Sequence, residues 1–205
     1  STYRNGIQFC IGIFTSINIH NSRKQEFIDR MKEVISKLRV GDPSKEDTQM
    51  GPMINIHAAQ RIEEQVNKTI EQGATLVCGG KREDAFYYPT ILDNVTKDMD
   101  VAKDMEIFGP VIPVIGFNTE EEAIEIANQS SYGLCGCVIT KDYSRGLKIA
   151  NKLECGGAIV NGASFFRSFE MPFGGWKHSG IGNEGVSSTL QEMSRVKTIV
   201  LKNIL

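Results

Sequence analysis

Residues Val111 to Phe117 read V-I-P-V-I-G-F, an apolar run of strand length that suits a strand buried on both faces. A capping box follows at once, Thr119 with Glu122 three residues on, so a helix carrying Ala123, Ile124 and Ala127 is expected where the strand stops. The same alternation recurs along the chain. A short strand is expected at 16–19. A helix follows, opened by Ser22 with Gln25 completing its capping box and striped by Phe27, Met31, Val34, Ile35 and Leu38. Gly41 is the expected left-handed stop of that helix, and Asp42-Pro43 prevents its resumption. A second helix at 57–72, with Ile62, Val66 and Ile70 at four-residue spacing, ends at Gly73 before the strand-like Thr75 to Cys78. Further along, the pattern predicts extended chain at 87–92, strands near 134–140, 157–161 and 196–201, and helices near 143–153 and 186–193. Strands alternating with helices argue for an α/β fold with a mostly parallel open sheet and helices on both faces. In such sheets, sites form beyond the carboxyl ends of strands, where the loops holding Glu106 and residues 161–175 are expected.

The chain has 205 residues, 40% of them hydrophobic, enough to bury the core of one domain. Its net charge of −2 is spread without long blocks of one sign, which gives no electrostatic footprint for nucleic acid or an anionic membrane. No apolar run approaches the ~20 residues of a spanning helix, and the polar start is unlike a signal peptide, so a cytoplasmic protein is expected. Five cysteines make an odd count for a disulfide framework. Cys78, Cys135, Cys137 and Cys155 lie in or beside apolar strand-like segments and are expected to be reduced packing residues. Cys135-Gly136-Cys137 lacks the second pair or histidine cluster that a tetrahedral metal site needs, so no metal is expected.

Cys10 differs from the other four in standing within a turn that contains glycine and amide side chains. Backbone N–H groups in such a turn can lower a thiol pKa and prepare it to attack a carbonyl, although a lone cysteine more often packs. Gly180-Ile181-Gly182-Asn183-Glu184-Gly185 spells G-x-G-x-x-G, but it neither follows a strand nor opens a βαβ unit, and a structural role is expected. Phe165, Phe166, Phe169, Phe173 and Trp176 crowd one loop segment beside Asn161, where aromatics ordinarily cover the end of a sheet.

Four segments fall in an order that one enzyme family uses: Asn5-Gly6-Ile7-Gln8-Phe9-Cys10, Gly41-Asp42-Pro43, Glu106-Ile107-Phe108-Gly109-Pro110, and Pro172-Phe173-Gly174-Gly175 through Gly185. Together they resemble the catalytic domain of an aldehyde dehydrogenase, from the first residues almost to Leu205. The resemblance implies that Cys10 is the nucleophile, passing through a thiohemiacetal and a thioester, and that Glu184 helps relay protons. It implies that Glu106 binds the ribose hydroxyls and Phe108 the nicotinamide ring of NAD or NADP, and that Phe166, Phe173 and Asn161 meet an aldehyde substrate. The C-terminal strand, about 196–202, is the implied route to a homo-oligomer. Three departures stand out: Ile7 occupies a glycine position of the family, Phe14-Thr15-Ser16 with one inserted residue stands where the family carries an arginine shortly after the cysteine, and Asn183 stands in place of the arginine before the glutamate.

The resemblance also implies elements with no match in these 205 residues. They are the nucleotide-binding half, the glutamate that activates water, the asparagine that holds the oxyanion, and the first strand and helix of the catalytic domain itself. The expectation is a partial catalytic domain that alone binds no NAD(P) and turns over no aldehyde. The alternative is an assembly or interaction module derived from that family.

Overall fold

A computed structural model describes residues 16–164 and 166–202. Its centre is a four-stranded sheet in the order β1 (Ile17–His20), β6 (Val111–Phe117), β5 (Thr90–Val95), β2 (Thr75–Cys78). The β1–β6 and β6–β5 ladders are parallel, and β2 closes one edge antiparallel to β5. Helices lie on both faces. Residue parity decides which: Ile112 and Val114 of β6 point with Ile91 of β5 toward Ile28 of α1 (Asn21–Ser36). Val111 and Ile115 point with Leu92 and, beyond an irregularity that shifts the β5 register, Val95 to the opposite face, against Ala58, Ala59, Ile62 and Val66 of α2 (Ile56–Glu71) and Ile126 of α3 (Glu120–Asn128). The apolar run at 111–117 is therefore covered on both sides over most of its length.

Two short antiparallel pairs decorate this core, β3 (Arg82–Glu83) with β4 (Phe86–Tyr87), and β7 (Tyr132–Gly133) with β10 (Trp176–Lys177). A second parallel ladder, β8 (Cys135–Val138) with β9 (Gly157–Val160), forms its own sheet and packs on α4 (Tyr143–Ala150). Gly146 lets α4 approach: a Cβ there would stand 2.7 Å from Val160 Cγ1. The described residues close with α5 (Val186–Glu192) and the segment 194–202.

Several local expectations need correction. The cap of α1 is His20, whose Nδ1 accepts from the Ser22 N–H, while Gln25 turns to Asp29. Within α1, Val34 is exposed, and Ile28 is the residue that the sheet buries. Gly41 does not stop that helix. The helix ends at Ser36, and Gly41, outside the left-handed region, donates its N–H to the Met50 carbonyl beside a Val40–Met50 bridge. α2 is capped by Asn55, and Gly73 follows it at φ 113, as a left-handed stop requires. Thr119 caps α3 by accepting from the Glu122 N–H, and the Glu122 carboxylate returns to the Asn118 N–H. Residues 196–201 form no strand: a strand exists through its ladder partners, and none pairs with this stretch among the described residues.

Candidate active site

The Glu106 to Pro110 loop enters β6 directly, so it lies at the amino end of the parallel strands. This corrects the expected carboxyl-end placement; a loop that feeds a parallel strand must sit at the end where the strand begins. Its hydrophobic residues anchor it. Ile107 is buried in the α2-side core, Gly109 packs so closely on Ile62 that a Cβ would stand 2.6 Å from Cδ1, and the Pro110 carbonyl accepts from the Thr90 N–H. Just before the loop, Asp104 accepts from the Ser130 hydroxyl and the Ser131 N–H, and the Ser131 backbone bond chiefly holds its carboxyl below the usual range. With its flanks fixed, Glu106 is left exposed, with no hydrogen bond or ion pair to the described residues. Phe108 is half-buried and held at φ 51, in a left-handed conformation that is rare for a bulky residue.

Asn161 follows β9 at the carboxyl end of the second ladder. Its N–H continues the ladder to the Val138 carbonyl, and its Oδ1 accepts from the Thr140 N–H. Through that bond Asn161 helps to shape the turn between strand end and aromatic loop. Beyond it, Phe166 is 58% exposed. Phe173 and Glu184 are brought together: each donates its N–H to the other's carbonyl, at 2.7 and 2.6 Å, in an isolated antiparallel bridge. Over the Phe173 ring lies Arg167, its Cζ 3.0 Å from the centroid. Arg167, Phe173 and Glu184 line one groove of about 490 Å³ with Ser168, Met171 and Thr189.

Of the residues expected to form the site, Phe173 and Glu184 share this groove, whereas Glu106, Phe108, Asn161 and Phe166 do not line it. Cys10 lies outside the described residues. The Arg167–Phe173 contact was not foreseen from the sequence, although an arginine between Phe166 and Phe169 in an aromatic loop is the signal a cation–π contact would give. The three glycines of G-x-G-x-x-G all have positive φ, and Gly185 caps the short α5, in keeping with turn formation and not with a dinucleotide cradle.

The remaining cysteines are half-buried free thiols, and burial raises the pKa of each. Cys137 is pushed up to about 11, first by burial and then by the neighbouring Cys135 and Cys155. Among the described residues no group of three His, Cys, Asp or Glu side chains is arranged to hold a metal ion, and no helix is long and apolar enough to cross a membrane.

The aldehyde dehydrogenase family pattern matches residues 1–199, nearly the whole chain. The chain belongs to the aldehyde dehydrogenase family. It is 43% identical over 199 residues to a lactaldehyde dehydrogenase of Methanococcus aeolicus, covering 97% of this chain and 42% of that protein. A 3-sulfolactaldehyde dehydrogenase of Priestia megaterium is 42% identical over 200 residues, covering 98% and 42% respectively. Among solved structures, glyceraldehyde-3-phosphate dehydrogenase GapN from Methanocaldococcus jannaschii, complexed with NADP, superposes with a TM-score of 0.92 at 42% identity over 98% of this chain and 43% of that one. The chain thus spans about 42% of the length of the curated relatives it matches.

Proposed function

We propose that these residues supply the catalytic portion of an NAD(P)-dependent aldehyde dehydrogenase that oxidises an aldehyde to a carboxylic acid. The observation that carries the proposal is the Glu106 to Pro110 loop: anchored by Ile107, Gly109 and Pro110, it presents an exposed carboxylate, without a partner among the described residues, two residues before an aromatic held at φ 51. A carboxylate accepts from two adjacent hydroxyls, and a flat ring supports a flat heterocycle, so Glu106 and Phe108 fit the ribose and nicotinamide of NAD(P). When bound, that cofactor supplies the hydride acceptor. Backbone strain at Phe108 is the kind found where a site must aim a side chain.

In this mechanism the Cys10 thiolate attacks the aldehyde carbon, forming a thiohemiacetal; loss of its C–H hydrogen as hydride, for which NAD(P)⁺ would be the acceptor, and of the hydroxyl proton leaves a thioester, from which water releases the acid and returns the thiol. Glu184, exposed beside the groove, takes and returns protons in the deacylation half. Phe173 and Phe166 offer apolar contact to the substrate. The water-activating glutamate and oxyanion asparagine of the family have no match in this chain, so the 205 residues alone are expected to oxidise no aldehyde and to hold no NAD(P). The relatives' names bring a substrate range of small aldehydes that are uncharged (lactaldehyde), sulfonated or phosphorylated.

The test is Cys10→Ala in the full protein. NAD(P)H formation from an aldehyde is expected to fall at least ~10³-fold, as loss of a covalent nucleophile does. A variant that keeps its rate overturns the proposal.

A second feature favours assembly as well as catalysis: Val196, Ile199, Val200 and Leu201 are all largely exposed on a segment with no ladder partner among the described residues. An unpaired apolar edge of that kind invites pairing with a second copy, giving a homo-oligomer built through the C-terminal segment.

A further inference from the structure

We infer that the turn at 128–131 is a positioning element of the candidate site, clamped by Asp104 on the side of the Glu106 loop and by Lys177 on the side of the groove; this rests on the dehydrogenase reading above.

The two parts of the site stand on different pieces of chain. Glu106 and Phe108 belong to the loop before β6, and Phe173 and Glu184 to the groove. The turn that follows α3 is bonded to both. Toward the loop, Asp104, two residues before Glu106, accepts from the Ser130 hydroxyl at 2.9 Å and from the Ser131 N–H at 2.7 Å. Gln129 Nε2 donates to the Ala102 carbonyl at 2.6 Å on the same side. Toward the groove, Lys177, which lies between Phe173 and Glu184 in the chain, donates from Nζ to the Asn128 and Ser130 carbonyls at 2.6 and 3.0 Å. The Ser131 carbonyl accepts from the His178 N–H, and just past the turn the Gly133 N–H donates to the Ser179 hydroxyl. Ser130 and Ser131 therefore face both ways, giving a hydroxyl and an N–H to Asp104 and their carbonyls to Lys177 and His178.

Lys177 is placed for this task. Its side chain is 25% exposed, and beyond the two carbonyls it pairs with the Glu154 carboxylate at 2.8 Å, so its three donors all have partners. Asn128 closes α3, so the ammonium meets the carbonyl end of that helix, where positive charge is favoured. The Lys177 backbone is held at φ 54, a conformation that a lysine keeps only where its surroundings impose it. Asn128 gives both clamps a fixed point, because its amide donates to the Lys152 carbonyl and accepts from the Glu154 N–H. Reacting atoms in a site tolerate little displacement, and about 1 Å of misplacement costs on the order of 10²-fold in rate. A turn fastened at once to the residues ahead of Glu106 and to the strand between Phe173 and Glu184 sets the spacing of the two parts.

The test is a double-mutant cycle in the full protein, with Asp104→Ala, Lys177→Met and the two combined. Lys97→Met, which breaks the Lys97–Glu125 pair on α3 outside the turn, is the control. With butanal and whichever of NAD⁺ and NADP⁺ the unmodified protein uses, kcat is expected to fall roughly ten- to a hundredfold in each single variant. The deuterium isotope effect with aldehyde-deuterated butanal is expected to rise in both. NAD(P)H binding, read by fluorescence, is expected to weaken at least ~5-fold even in Lys177→Met, whose altered side chain lies on the groove side. Because both clamps act through one turn, the double variant is expected to lose little more than the worse single one, whereas independent sites would multiply their losses. Multiplied losses, an unchanged isotope effect in both single variants, or an equal loss in the control overturn the inference. If the unmodified protein forms no NAD(P)H from the aldehyde, the dehydrogenase reading fails separately, and amide hydrogen exchange decides the coupling. Lys177→Met is then expected to speed exchange in the peptide from Asp104 to Phe108 at least ~5-fold; unchanged exchange there overturns it.

Discussion

The thiols divide by environment. Cys78, Cys135, Cys137 and Cys155 are half-buried with raised pKa values, and for Cys137, at about 11, only about one molecule in a thousand is thiolate at pH 8. Cys10, if it is the nucleophile, must behave in the opposite way. Brief treatment with iodoacetamide at pH 8 followed by peptide mapping is therefore expected to label Cys10 at least tenfold faster than the other four. Uniformly slow labelling would remove the activated-thiol argument. Phe173 and Glu184 stand out in the sequence, and the structure places both on one groove. The bond from the Thr140 N–H to the Asn161 Oδ1 was not readable, because whether an amide also serves its own turn depends on backbone geometry that spacing does not encode. The Arg167 contact escaped for a related reason: it is made on Phe173, six residues away across an irregular loop.

At the scale of the element, the loop before β6 is the best-fixed piece of the proposed cofactor site, and Gly109 is its pivot. Ile62 is wholly buried in α2, so it has little freedom to yield to a Cβ placed 2.6 Å from its Cδ1. Gly109→Ala is expected to cost about 1–3 kcal/mol by overpacking, seen in denaturant unfolding, and to raise the KM for NAD(P) by shifting Glu106 and Phe108. A variant with unchanged stability and KM would show that the loop is not held from below. Helices with a strong apolar period were legible, as at α2 with Ile62 and Val66, and so was the doubly covered β6. Ends were less so. His20 displaced Ser22 as the cap because its Nδ1 accepts the Ser22 N–H, which puts Ser22 inside the helix, and α1 ended five residues before Gly41, where the chain instead bonds to Met50. Placing Glu106 failed on topology: strand order and direction determine which end a loop occupies, and periodicity alone carries neither.

For the whole molecule, helices on both faces of a mostly parallel sheet follow from alternating strand and helix patterns, but the division into a four-stranded sheet and a separate β8–β9 ladder does not, because pairing between distant strands leaves no local mark. The stretch 196–201 shows the same limit from the other side. Its β-rich composition was legible, yet a strand needs a partner, and none is present within the described chain. If a second copy supplies one, Ile199→Asp in the full protein is expected to weaken self-association at least tenfold in sedimentation equilibrium, since it buries a charge in an apolar edge. An unchanged association constant would place the interface elsewhere. The central claim is that Cys10 carries the substrate, and the most direct measurement is mass spectrometry of the full protein acid-quenched during turnover with an aldehyde and NAD(P). The account predicts the acyl mass on the peptide that contains Cys10. Acyl adduct on another cysteine, or none while turnover proceeds, would contradict it.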